Sequence, residues 1–264
     1  MIKKIDVGYI GFSLTMLSEL LCSPFFNLKE CILEETRCTD QIRTICKTNH
    51  VKLFEARNKK HLSEILIQES EENVFIMYEN GIIIENAALC GKHIYNFHSG
   101  SFLNNRGAHP IVWSILNNDT FTEMTLHEID ADIDQGTKVD TRAVAIDEND
   151  DIDSLKMKLE ALIPDLLLSL FNHILRREYF EKQFNRYNRR IELIDYTIDL
   201  GKDSMEDIFR KVRSQSAYKG AVLFADEEKI YIHKVKKIGQ TGQFYRKENG
   251  QKCIEIRQIL EILD

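Results

Sequence analysis

Apolar and polar positions along the first two hundred residues follow two periods in turn. Residues 5–11 (IDVGYIG) form an apolar run closed by glycine, and Ser13 then leads into an apolar stretch to Cys22. That is a strand, a tight turn and a helix. The pattern repeats, with strand-like runs at 30–33, 51–54 and 74–78 and helical spacers at about 39–48 and 60–69. Alternation of this kind predicts an α/β fold with a doubly wound, mostly parallel sheet. Residues 93–98 are the next strand. Asn96 and His98 are two apart in it, so their side chains share a face at its carboxyl end, where open α/β sheets bind ligands.

After a polar loop, Pro110 suits the first turn of a helix running to about residue 116. Strands are expected at 124–129 and 138–146, separated by the acidic turn 130–136 (DADIDQG). A long amphipathic stretch, 153–178, follows, and Pro164 is expected to kink it. The basic continuation to Arg190 reads as a solvated face. Beyond residue 191 the texture changes to a strand (191–198), a short helix (204–212) and a hairpin (221–224 with 230–235). The expected division is a domain at 1–190 and a small α+β extension at 191–264.

Composition narrows the possibilities. With 43% hydrophobic and 29% charged residues, the 264-residue chain reads as an ordinary soluble globular protein. No apolar run approaches the ~20 residues that span a bilayer. Asp6 interrupts the apolar run behind the basic pair of MIKKIDVGYIGF, so this start reads as a strand and the protein as cytoplasmic. Six cysteines without a C-x-x-C pair imply free thiols and no metal centre. A formal charge of −7 argues against bulk nucleic-acid binding. Gly8 and Gly11 do not make a dinucleotide fingerprint, and no phosphate-binding G-x-x-x-x-G-K-[ST] loop occurs.

The chemistry-bearing residues converge on the sheet's carboxyl edge: Asn96, His98, the loop 99–107 and the aspartates Asp130, Asp132 and Asp134. A carboxylate beside an imidazole holds it in one tautomer and raises its basicity. An amide N–H can donate to a developing oxyanion. This set describes acyl or formyl transfer without a covalent enzyme intermediate, with His98 the only imidazole placed to take a proton. A serine-hydrolase elbow, G-x-S-x-G, is absent.

The string N-F-H-S-G-S-F-L-x-x-R-G-A-x-P-I-x-W, followed by M-T-L-H-E-I-D-A-D-I-D-Q-G, resembles the folate-dependent formyltransferases. The resemblance implies a catalytic trio of Asn96, His98 and Asp134, with 10-formyltetrahydrofolate as co-substrate. It also implies a pterin site between the loop 81–84 (Ile82, Ile83, Ile84) and the segment 130–133 (Asp130, Ala131, Asp132). Ser99, Asn105 and Arg106 are the candidate substrate contacts. Three places depart from the family pattern: the serine after His98 comes one place early, at Ser99, Ile84–Glu85 stands in place of Leu-Pro, and Gln135 in place of Thr. The loop LNNRGAHPIVW looks most like the nucleotide-sugar N-formyltransferases, which implies a dTDP-, UDP- or GDP-linked amino sugar as acceptor and a role in surface polysaccharide synthesis. The hairpin resembles one that some sugar enzymes use to form homodimers. A methionyl-tRNA formyltransferase-like enzyme and a non-enzymatic binding module are the alternatives. The basic stretch 229–252 suits RNA contact or lysines guarding an edge strand.

Overall fold

The computed structural model describes residues 3–130, 136–176, 186–225, 228–238, 241–246 and 252–255. It divides into two compact units: 1–103, 123–142 and 159–185 form one, and 104–122, 143–158 and 186–264 the other.

In the first unit each apolar run becomes a strand and each amphipathic run a helix. The order is β1 (Ile5–Gly11), α1 (Leu14–Cys22), β2 (Phe26–Glu34), α2 (Asp40–Thr48), β3 (Lys52–Ala56), α3 (Lys59–Glu64), β4 (Val74–Tyr78) and β5 (His93–His98). Short polar side chains start the helices. Ser13 Oγ accepts from the Met16 N–H at 3.3 Å, Thr39 Oγ1 from Ile42 at 3.3 Å and Asn58 Oδ1 from His61 at 3.0 Å. After α3 one π-helical turn carries the chain to Glu69. Past β6 (Arg106–Gly107) and α4 (Pro110–Leu116), the sheet resumes with β7 (Phe121–Glu128) and β8 (Thr137–Ala145). The strand order is β3-β2-β1-β4-β5-β7-β8. Pairings from β3 to β5 are parallel, and β7 joins β5 antiparallel.

Ile10, Ile32, Phe75 and Ile94 of the sheet bury against Leu62 of α3 and the following Ile65 and Leu66. Cys31 precedes Ile32 and so points to the opposite face, where its thiol meets that of Cys46 on α2. Helices thus cover both faces, which makes the sheet doubly wound. The amphipathic run 153–178 resolves into two helices rather than one kinked helix: α5 (Ile152–Glu160) and α6 (Ile163–Arg176). Pro164 lies in the first turn of α6, where its missing N–H leaves no helical hydrogen bond unmade. Phe171 of α6 packs its ring edge against Phe26 of β2.

In the second unit β6 pairs with β9 (Tyr187–Asn188). Val112 and Ile115 of α4 pack with Ile152 and Leu155 of α5. The strand expected at 191–198 is instead a 3₁₀ turn, Leu193–Tyr196, followed by the two-residue β10 (Thr197–Ile198). Asp195 decides this. Its carboxylate accepts from the Glu192 N–H at 2.8 Å and from both terminal nitrogens of Arg189, which closes a turn that alternation alone reads as extended. Then come α7 (Met205–Arg213), β11 (Ala221–Ala225) and β12 (Glu228–Ile238), the expected hairpin. Two further strands, β13 (Thr241–Arg246) and β14 (Lys252–Glu255), extend it to a five-stranded sheet. Ile208 and Val212 of α7 bury against Ala221, Leu223 and Ile232 of that sheet. Lys229 and Lys234 are on β12, which has strands on both sides, so they guard no edge.

Gly11 ends β1 at φ +146°, and a Cβ there would stand 1.8 Å from the Tyr78 carbonyl oxygen. Only glycine lets β1 and β4 approach this closely. Gly11→Ala should therefore cost about 3 kcal/mol or more, read as a lowered urea midpoint with unchanged slope.

Candidate active site

The site is built where β5 ends beside β7. Antiparallel pairing sets Asn96 opposite His127 and His98 opposite Thr125. The Asn96 amide nitrogen lies 3.1 Å from His127 Nε2. An amide N–H can only donate, so this contact assigns His127 as the Nδ1–H tautomer with Nε2 accepting. The Nδ1–H faces the Glu128 carbonyl at 3.4 Å. One amide hydrogen of Asn96 is thereby committed and its direction fixed. The same NH₂ group carries a second hydrogen.

His98 is buried to 7% exposure at the end of β5. Its ring lies 6.1 Å from that of Phe102, which in turn meets His127 at 4.7 Å with the ring planes tilted by 60°. The two imidazoles therefore flank one phenyl ring. The turn after His98 is tied down from β7, as Thr125 Oγ1 donates to the Gly100 carbonyl at 2.8 Å. His127 and Phe102 were not singled out by sequence pattern. Their importance depends on a pairing across 31 residues that only the topology reveals.

The other expected site residues divide into distinct groups. Ser99 Oγ is 3.5 Å from the Tyr78 hydroxyl, also at the sheet's carboxyl edge. Asn105 is 1% exposed, and its amide is engaged internally: it donates to Ser114 Oγ and to Asp119 Oδ2, both at 2.8 Å, and accepts from Asn188 Nδ2 at 2.8 Å. This geometry gives Asn105 the work of a loop anchor. Arg106 is buried at 8% exposure in the β6–β9 pairing.

Ile82 and Ile84 pack, together with Ile129, against the core cluster beneath α3, while Ile83 stays 55% exposed. Ile82 and Ile84 of the first pterin segment thus share one apolar base with Ile129, which precedes the second. The Ile82 N–H is accepted by Asn80 Oδ1 at 3.3 Å, and its carbonyl accepts from Asn80 Nδ2. Asp130 is exposed just after β7. Ala131, Asp132 and Asp134 lie outside the described residues. The chain re-emerges at Gly136, where a Cβ would be 1.6 Å from the Glu128 carbonyl oxygen and 3.0 Å from His127 Nδ1. Gly136 therefore lies close against the end of β7 and His127. Among the described residues, no group of three or more His, Cys, Asp or Glu is placed to hold a metal ion. Cys22, Cys31, Cys38, Cys46 and Cys90 are free thiols. No described helix is long and apolar enough to cross a membrane.

No protein-family profile matches the sequence. The methionyl-tRNA formyltransferase of Ehrlichia chaffeensis is 28% identical over 196 residues, covering 73% of this chain and 64% of that enzyme. The chain spans about half to just under two thirds of the curated relatives of this kind. Among solved structures, a 4-N formyltransferase from Francisella tularensis superposes with a TM-score of 0.70 at 19% identity, over 88% of this chain and 98% of that one. WlaRD, a sugar 3N-formyl transferase crystallised in the presence of dTDP and 5-N-formyl-THF, gives 0.65 at 19% identity, over 96% and 97% of the two chains. The sequence relationship to methionyl-tRNA formyltransferases and the fold shared with sugar N-formyltransferases support a folate-dependent formyltransferase family for this chain.

Proposed function

We propose that the protein transfers a formyl group from 10-formyltetrahydrofolate to the amine of a nucleotide-linked amino sugar. The observation that carries formyl transfer is the pairing of Asn96 with His127 beside His98, which fixes an amide donor next to a buried imidazole. The sugar acceptor is supported by the NRGAHPIVW loop and by a fold match over nearly the full length of the sugar enzymes. A methionyl-tRNA acceptor remains the second reading, favoured by the sequence relatives. The division at residue 190, a homodimer built through the C-terminal strands, and a cytoplasmic place in surface polysaccharide synthesis belong to the same proposal.

The residues fit the folate in one respect and constrain it in another. Ile82, Ile84 and Ile129 give an apolar base beside exposed Ile83, as a planar pterin requires. Because Asn80 occupies both backbone groups of Ile82, a pterin edge must use neighbouring backbone groups or displace that amide. When bound, the folate supplies the activated formyl carbon. His98 takes a proton from the attacking amine. The free amide hydrogen of Asn96 donates to the formyl oxygen as charge develops on it. Asp134 orients His98 and stabilises its protonated form, and His127 keeps Asn96 pointed at the oxygen. Ser99 and Arg106 contribute to acceptor binding.

His98→Ala should lower turnover by about 10²–10⁴-fold with folding retained by circular dichroism. Asn96→Ala should lower it about 10²–10³-fold. Asp134→Asn should approach the His98 loss with little change in folate binding, whereas Asp132→Asn should do far less. Equal damage from the two aspartate variants would move the assignment.

His127→Phe removes one hydrogen bond but keeps a ring against Phe102. The loss should be about 3- to 10-fold in turnover, the equivalent of a single net hydrogen bond, with KM for folate unchanged. The acceptor is tested by incubating the protein with 10-formyltetrahydrofolate and each acceptor class, following product mass. Formylated methionyl-tRNA, with no product from dTDP-, UDP- or GDP-linked amino sugars, would overturn the sugar reading alone.

A further inference from the structure

Asn96, His98 and His127 share one face of the sheet. Asn96 and His98 are two apart on β5, and His127 stands directly opposite Asn96 on β7. His98 is opposite Thr125, which makes His98 and His127 diagonal neighbours. Diagonal positions lie about 7–8 Å apart, within reach of ring-bearing side chains. Nothing in the strand pairing keeps the two imidazoles from meeting. The group that stands at both is Phe102, which arrives from the turn after β5. Its ring centre is 6.1 Å from that of His98 and 4.7 Å from that of His127, and all three side chains are buried. The turn that delivers it is tied twice. Thr125 Oγ1 donates to the Gly100 carbonyl at 2.8 Å, and the Leu103 N–H donates to Ser101 Oγ at 3.2 Å.

The two imidazoles have opposite tasks in the proposed chemistry. His98 gains a proton from the attacking amine, and His127 must not gain one. His127 Nε2 accepts from the Asn96 amide at 3.1 Å, while its Nδ1–H faces the Glu128 carbonyl at 3.4 Å. A proton added at Nε2 would make both ring nitrogens donors. The Asn96 N–H would then face another N–H, and the amide would lose the acceptor that aims it. Imidazoles in direct hydrogen-bond contact exchange a proton readily, because donor and acceptor are the same chemical group. A phenyl ring has no lone pair to carry the proton across.

We infer that Phe102 is a positioning residue that insulates the two imidazoles from each other. It keeps the proton taken from the amine on His98, so that His127 stays neutral and Asn96 stays aimed. The effect on turnover rests on the formyl-transfer reading; the protonation pattern of His127 does not.

Nitrogen-15 shifts of the imidazoles, recorded on the full chain by long-range proton–nitrogen NMR, report which ring nitrogens carry hydrogen. In the wild type His127 should show a protonated Nδ1 and a bare Nε2. In Phe102→Ala its two nitrogen shifts should move toward each other as the proton is shared with His98. Phe102→Leu keeps apolar bulk between the rings and should hold the wild-type pattern. Phe102→Val takes the place of the alanine variant should circular dichroism show the latter unfolded. On turnover, Phe102→Ala should lower kcat about 3- to 10-fold with KM for folate unchanged, since it disables the same hydrogen bond as His127→Phe. Phe102→Leu should recover most of that loss. In a His127→Phe background Phe102→Ala should cost less than about twofold more, whereas a contact that only shapes the turn would cost the same in both. A protonated or proton-sharing His127 in the wild type, unchanged His127 shifts in the folded small-residue variant, or equal losses in the two backgrounds overturns the inference. Absence of formyl transfer by the wild type would instead sink the formyl-transfer reading and leave the nitrogen shifts to decide the insulation.

Discussion

The antiparallel pairing of β7 against β5 is the constraint on which the site depends. Five strands of the sheet run parallel and deliver their carboxyl ends to one edge, where helix starts and loops meet. A parallel sixth strand would have set different residues beside Asn96 and His98. The reversed strand instead brings His127 within 3.1 Å of Asn96, and Thr125 within reach of the Gly100 carbonyl. A side-chain amide otherwise rotates freely between two orientations. Here the imidazole acceptor selects one of them before any ligand arrives, and the proposed oxyanion role of Asn96 draws on that preorganisation.

Two interactions in other segments leave the strand of Asn96 and His98 alone. Asn105 holds its loop through residues 9, 14 and 83 positions away. Glu160 closes the start of α1 from the far end of another helix. Neither interaction touches β5, so both can vary while the Asn96–His98 strand stays as it is.

Much of this was legible in the sequence because burial on both faces enforces period. β4 was read as 74–78 and β5 as 93–98, the bounds observed, since each is an apolar run bounded by polar residues. The misreading at 191–198 came from I-E-L-I-D-Y-T-I, whose alternation mimics a strand. The Asp195 turn and its Arg189 clamp override that pattern. The strands after residue 238 are polar and glycine-bearing, so alternation does not announce them. His127 went unread as a partner for Asn96 for a different reason. Nothing local to either residue encodes whether the returning strand runs parallel or antiparallel, and a one-residue slip would turn His127 to the other face.

The central claim is that Asn96 and His127 act as one unit in which the imidazole aims the amide. A double-mutant cycle on turnover, with Asn96→Ala, His127→Phe and both together, measures this directly. If the account holds, the double variant is no slower than Asn96→Ala alone, because His127 has nothing left to orient. Multiplication of the two single losses in the double variant would show that His127 acts independently of Asn96, and would contradict it.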